Sequence, residues 1–267
     1  MDTVTSRDGT QIAFDRSGAG PALILVGGAF QHRAIDPRTG RLAELLAPHV
    51  TVFHYDRRGR GDSGDTQPYA AEREVDDLAA LIGIAGGSAF VFGMSSGAAL
   101  ALDAAAHGLA ITKLALYEPP FIVDDSRPPV PREYVSQLDT LIAAGRRGDA
   151  VAYAMTTAVG LPAEAVASMR EQPFWPAFEA VAHTLAYDGR VMGDTQSGRP
   201  LPRDRWASVT VPTLVIDGGA SPAYQHAAVH ALVGVLPHAR RRALDDQTHD
   251  VAPEVLAPVL AEFFAGR

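Results

Sequence analysis

Short apolar runs alternate with amphipathic stretches along most of this 267-residue chain. The opening differs: Thr3 to Ser17 alternates polar and apolar positions about Asp8-Gly9, a strong turn signal, and predicts a hairpin. Beyond it, Ala22–Val26, Thr51–Tyr55, Ala89–Phe92, Lys113–Tyr117, Thr213–Asp217 and Arg240–Leu244 read as strands, and runs such as Ala22–Val26 suit strands covered on both faces. Between them Leu42–Leu46, Glu72–Ile84, Ala98–Ala106, Tyr224–Leu236 and Glu254–Phe264 read as helices, with Val75, Leu78, Leu81 and Ile82 sharing one face of the second. This alternation predicts an α/β fold: a mostly parallel central sheet with helices on both faces.

From Phe121 to Arg205 the rhythm stops. Helical pieces punctuated by Pro162, Pro173 and Pro176 follow Asp124-Asp125-Ser126-Arg127-Pro128-Pro129 and end at Gly198-Arg199-Pro200-Leu201-Pro202. We read residues 121–205 as an inserted helical cap, with residues 1–120 and 206–267 forming the core. Packing the cap onto the core is the expected work of most of its large side chains, Phe174, Trp175, Phe178 and Tyr187, with one or two facing a pocket.

Composition narrows the possible functions. Apolar residues make up 47% and charged residues 20%, as in a globular protein with a sizeable core. A net charge of −8 argues against nucleic acid or an anionic membrane as the main partner. The lack of cysteine removes disulfides, thiolate nucleophiles and thiolate metal sites together. Asp2, Arg7 and Asp8 interrupt any apolar signal-peptide core, and no apolar run is long enough to span a bilayer, so a cytoplasmic protein is expected. Glycine clusters do not point to nucleotides. Gly83-Ile84-Ala85-Gly86-Gly87 precedes a strand instead of following one, and no Lys-Ser/Thr pair follows the glycines of Asp56–Gly64. The embedded Arg60-Gly61-Asp62 reads as coincidence in a cysteine-free chain without a secretion signal.

The chemistry centres on Gly93-Met94-Ser95-Ser96-Gly97, set between a predicted strand and a predicted helix. A serine on so tight a turn sits in strained backbone with its hydroxyl clear of the sheet, and the flanking glycines let helix and strand pass closely. At a helix N-terminus, free N–H groups also favour developing negative charge. With this context the chain resembles the α/β-hydrolase superfamily, as a capped member similar to serine esterases and lactonases. The turn at Asp56, Arg58, Gly59, Gly61 and Ser63 is similar to that family's D-x-R-G-x-G-x-S structural marker. The resemblance implies oxyanion donors at the Ala29 and Ser96 N–H groups. It also implies a catalytic base at His249, in the loop between the last strand and the final helix. Phe30, Met94, Trp175 and His183 are expected to bind substrate, and His32 is a further candidate for the pocket wall. His226 and His230 lie four apart on a helix with no obvious third ligand, so no metal is expected.

The family's usual place for its acid, after the strand Thr213–Ile216, holds Ser221 here, and a serine cannot supply the anion that stabilises an imidazolium. Glu118, ending the previous strand, and Asp217 both respect the order serine, acid, histidine. Glu118 is preferred because its longer side chain can reach across one strand's width, and some lactonases of the family use this earlier position. The expectation is therefore a cofactor-free hydrolase of an ester or lactone of a small, largely apolar molecule, acting as a monomer or homodimer. Two alternatives stay open: a non-hydrolytic lyase, isomerase or perhydrolase on the same scaffold, and a ligand-binding sensor with weak hydrolysis. A serine at position 95 disfavours epoxide hydrolases and dehalogenases of this fold, which need an aspartate there.

Overall fold

The computed structural model describes residues 1–266. Eight strands form one sheet: β1 (Asp2–Thr5), β2 (Gln11–Ser17), β3 (Ala22–Val26), β4 (Thr51–Tyr55), β5 (Ala89–Met94), β6 (Ile111–Tyr117), β7 (Thr213–Gly218) and β8 (Ala239–Leu244). Their order is β1-β2-β4-β3-β5-β6-β7-β8. The predicted hairpin pairs β1 with β2, β2 joins β4 antiparallel, and every pair from β4 through β8 is parallel.

Side-chain alternation sorts the core into two layers. Ile24, Val26, Val91, Leu114, Leu116 and Val215 face helices α2 (Ala71–Ile84), α3 (Ser96–Ala106) and α9 (Ala223–Val235). Leu23, Leu25, Phe92, Ala115, Leu214 and Ile216 face α1 (Pro37–Leu46) and α10 (Pro253–Ala265). Covering both faces explains why these strands read as unbroken apolar runs. Helix α1 begins five residues before the expected Leu42, because Asp36 caps the Thr39 N–H at 3.1 Å and Pro37 suits the first helical position. At the far edge, β8 carries Arg240, Arg241 and Arg242 in succession, all exposed.

Between β6 and β7 lie α4 (Tyr134–Ala143), α5 (Arg147–Ala154), a π-helical turn (Met155–Val159), α6 (Ala163–Arg170), α7 (Trp175–Ala180) and α8 (Leu185–Met192). They share an apolar cluster running from Tyr134 to Ala186, against which Ala29 and Phe30 pack from the sheet side. The ends of this segment belong elsewhere: Phe121, Val123, Val191, Met192 and Leu201 are buried with the α2–α3–α9 layer. No described helix is long and apolar enough to cross a membrane.

Candidate active site

Strand β5 delivers Ser95 to the carboxyl edge of the sheet, where the backbone turns with φ 56° and ψ −127° and α3 begins at the next residue. A non-glycine residue at positive φ is strained by roughly 1–2 kcal/mol, and the surrounding bonds impose it here. Ser95 N–H donates to Tyr117 O at 2.9 Å, and its own carbonyl accepts from Ala98 N–H at 2.9 Å. Glycine is required beside it: a Cβ on Gly93 would lie 2.7 Å from Ala98 Cα, and one on Gly28 would lie 2.8 Å from Ser95 Cβ.

Glu118 follows β6, also at positive φ (42°), with no exposed surface. Its Oε2 accepts from His249 Nδ1 at 2.8 Å, while Oε1 accepts from the Gly218 N–H at 2.8 Å and the Ser221 hydroxyl at 2.5 Å. The serine found where an acid was expected thus donates to the carboxylate from the neighbouring strand. The loop bearing His249 is held by Tyr117, whose hydroxyl donates to Thr248 O at 2.6 Å, and by the Ala220 N–H, which donates to Gln247 O at 2.8 Å. A carboxylate on Nδ1 makes that nitrogen the protonated one and leaves Nε2 as a base. His249 and Ser95 line one cavity of about 530 Å³; among the described residues no hydrogen bond joins the Ser95 hydroxyl to the imidazole. Such contacts often tighten only when substrate is bound.

Asp217 is occupied differently. It accepts from Arg241 Nε at 2.9 Å and Nη2 at 2.5 Å, and meets His226 Nδ1 at 2.5 Å. His226 is therefore held by a carboxylate. Among the described residues no group of three or more His, Cys, Asp or Glu is arranged to hold a metal ion.

Ala29 and Ser96 line the same cavity as Ser95, and neither N–H donates to a protein acceptor among the described residues. Phe30 also lines it, at φ 65°, with its ring 4.9 Å from that of Phe178. The remaining expectations for the pocket wall need correction. Met94 borders a separate cavity of about 290 Å³ with Gln31, Leu42 and Leu256. Trp175 is buried within the inserted helices, where its indole N–H donates to Glu179 at 2.9 Å: helix periodicity cannot tell a cavity-facing side from one facing other helices. His183 lies 3.6 Å from Asp65, away from that cavity, and His32 does not line it either. In their place Tyr134, Leu185, Met192, Tyr224 and Gln225 contribute to the wall.

Sequence reasoning missed a buried ionic cluster beneath this site. Arg57, Arg60, Glu74 and Asp188 are at most 7% exposed. Asp188 comes from α8 and lines the cavity; Oδ1 accepts from Arg57 Nη1 and the Ser96 hydroxyl, each at 2.7 Å, and Oδ2 from Arg60 Nη2 at 2.6 Å. Burial pushes the Asp188 carboxyl upward, but the Arg60 and Arg57 charges, with the Ser96 and Arg57 hydrogen bonds, outweigh it and leave its pKa below the ordinary value.

The model of the alpha/beta hydrolase family matches residues 23–259. An alpha/beta hydrolase of known structure from Sphaerobacter thermophilus is 60% identical, with a TM-score of 0.90 over 98% of this chain and 100% of that one. The enol-lactonase of Burkholderia xenovorans reaches a TM-score of 0.72 at 21% identity, over 99% of this chain and 100% of its own, a likeness of fold. YraK, an uncharacterised hydrolase of Bacillus subtilis, is 35% identical over 105 residues, 36% of this chain; the match spans about a third of that relative's length (35%).

Proposed function

The chain belongs to the alpha/beta hydrolase family, and from that premise we propose that it is a cofactor-free serine hydrolase cleaving an ester or lactone of a small, largely apolar molecule. One observation carries the reading: Glu118 holds His249 Nδ1 at 2.8 Å, and that histidine shares a cavity wall with a serine on a strained strand-to-helix turn. In this mechanism Ser95 Oγ attacks the substrate carbonyl while His249 Nε2 takes its proton. The negative charge built on the carbonyl oxygen is met by the Ala29 and Ser96 N–H groups, each such donor contributing about 3 kcal/mol in comparable sites. Collapse expels the alcohol, which receives the proton from His249, and leaves an acyl group on Ser95. Water, deprotonated by the same imidazole, then releases the acid. Ala154, Ala158, Leu161, Leu185 and Met192 make much of the wall apolar, which supports a substrate with little charge of its own.

Ser95→Ala tests this directly. Turnover of short-chain p-nitrophenyl esters and of simple lactones is expected to fall by about 10⁵–10⁶, together with loss of labelling by a fluorophosphonate. Ester turnover persisting at the wild-type rate removes the mechanism.

A further inference from the structure

The cluster around Asp188 touches the oxyanion site at both of its donors. Arg57 spends its other edge on Glu74, with Nε and Nη2 each at 2.7 Å, so two guanidinium groups meet two carboxylates and their charges balance. That balance does not require the two further contacts. The Ser96 hydroxyl donates to Asp188, and Ser96 is the residue whose N–H faces the expected oxyanion. Arg60 Nη1 donates to Gly28 O at 2.5 Å, and that carbonyl belongs to the same peptide unit as the Ala29 N–H, the second donor. A planar peptide gripped at its oxygen has its N–H direction fixed, and a cation on the carbonyl polarises the unit and strengthens the N–H as a donor. Arg57 Nη1 also reaches Gly27 O at 3.3 Å, one peptide earlier, and Arg60 Nε reaches Thr184 Oγ1 at 3.0 Å, just before α8. Buried ions cost several kcal/mol each in lost hydration, and apolar replacements are often as stable; stability alone is a poor reason to keep four of them here.

We propose that Asp188, Arg57 and Arg60 are positioning residues for the oxyanion donors, so that the specific contacts of the Asp188 carboxylate, and not the seating of α8 in general, serve transition-state stabilisation. The inference rests on the reading of Ser95 as nucleophile.

The experiment compares Asp188→Asn and Ser96→Ala with Tyr187→Phe. The last loosens α8 at a separate point, where the Tyr187 hydroxyl meets Asp65 and Gln67. For each, kcat and KM are measured on a p-nitrophenyl ester, with Ki for an arylboronic acid, whose tetrahedral adduct on serine places an oxygen among the donors. In Asp188→Asn and Ser96→Ala, kcat is expected to fall about 10–100-fold, less than the roughly 10²–10³-fold seen on losing an oxyanion donor outright, because both N–H groups are kept and only their positioning is loosened. Ki should rise by a similar factor, with KM changed less than about threefold, since only transition-state binding is lost. Tyr187→Phe should shift KM or Tm while leaving Ki in place. Should Asp188→Asn fail to fold, Ser96→Ala, which keeps the backbone N–H and removes no charge, carries the test. The proposal is overturned if kcat falls without Ki, if neither moves, or if Tyr187→Phe reproduces the pattern. Wild-type enzyme that is not labelled at Ser95 would instead refute the nucleophile assignment, whatever the cluster does.

Discussion

Glu118, just after β6, and Asp217, in β7, stand side by side at the carboxyl edge of the sheet; both are fully buried and both hold a histidine through Nδ1. Their other partners differ. Asp217 is gripped by Arg241 through two nitrogens, so a permanent cation already answers its charge. Among the described residues, Glu118 is satisfied otherwise only by neutral donors, the Gly218 N–H and the Ser221 hydroxyl. A proton arriving on His249 therefore meets an uncompensated anion, whereas one arriving on His226 would place a second cation on a single carboxylate. A carboxylate–histidine contact is therefore not enough to identify an acid suited to catalysis. What counts is whether the anion's charge is still unspent.

The strongest way to break that contrast is Glu118→Gln. It keeps the size of the side chain, removes the charge and offers the imidazole a neutral partner; kcat on an ester is expected to drop by about 10⁴, and a drop under tenfold would erase the distinction drawn here. Asp217→Asn should act on stability instead. Charge-assisted hydrogen bonds to Arg241 are lost, but that side chain is partly exposed and can rehydrate, so a loss of about 2 kcal/mol and a Tm lower by on the order of 5 °C are expected. Its kcat should stay within about threefold of wild type, and a larger loss would make Asp217 a participant. The smallest effect concerns histidines that neither carboxylate holds. Burial, which disfavours the charged form, pushes the pKa of His54, His183 and His32 below the ordinary value. The unfolded chain therefore binds more protons than the folded one between those lowered values and about 6.5, the unfolded imidazole value. The stability these groups contribute is complete above about 6.5 and is lost as pH falls. Tm should decline from pH 7 to pH 5, with each histidine contributing at most about 1.4 kcal/mol per pH unit. A Tm that holds constant or rises over this interval would contradict the assignment.

Much of this architecture is legible in the chain because its signals are local. Buried parallel strands are apolar throughout, and Gly93 and Gly97 mark the close passage around Ser95 that only glycine permits. Side-chain reach favours Glu118 over Asp217 from the sequence alone, and Arg241 on the adjacent strand, paired with Asp217, supports the same preference. Arg240-Arg241-Arg242 in a short edge strand was the available hint that a cation lay within reach of Asp217. Arg57 and Arg60 occupy the open positions of a turn read only as a structural marker. Their burial depends on Asp188, more than 120 residues away, and no local pattern reports such a pairing. Arginines at positions 57, 58 and 60, directly after a buried strand, were nonetheless a warning that the turn was not simply solvated. Trp175 illustrates the opposite error, a large aromatic assigned to the cavity when it fills the interior of the inserted helices.

The arginine-bearing strand β8 has a consequence for behaviour in crowded solution. An open sheet margin presents unpaired N–H and C=O groups that invite another chain to add a strand, which is the first step of many aggregates. Here side chains at positions 240, 241 and 242 project to alternate sides of that margin, all exposed, so an incoming strand would have to crowd or desolvate guanidinium groups whichever way it faced. Two copies approaching margin to margin would bring the guanidinium groups of Arg240 and Arg242 against one another, which disfavours edge-to-edge polymerisation at the strand beside β7.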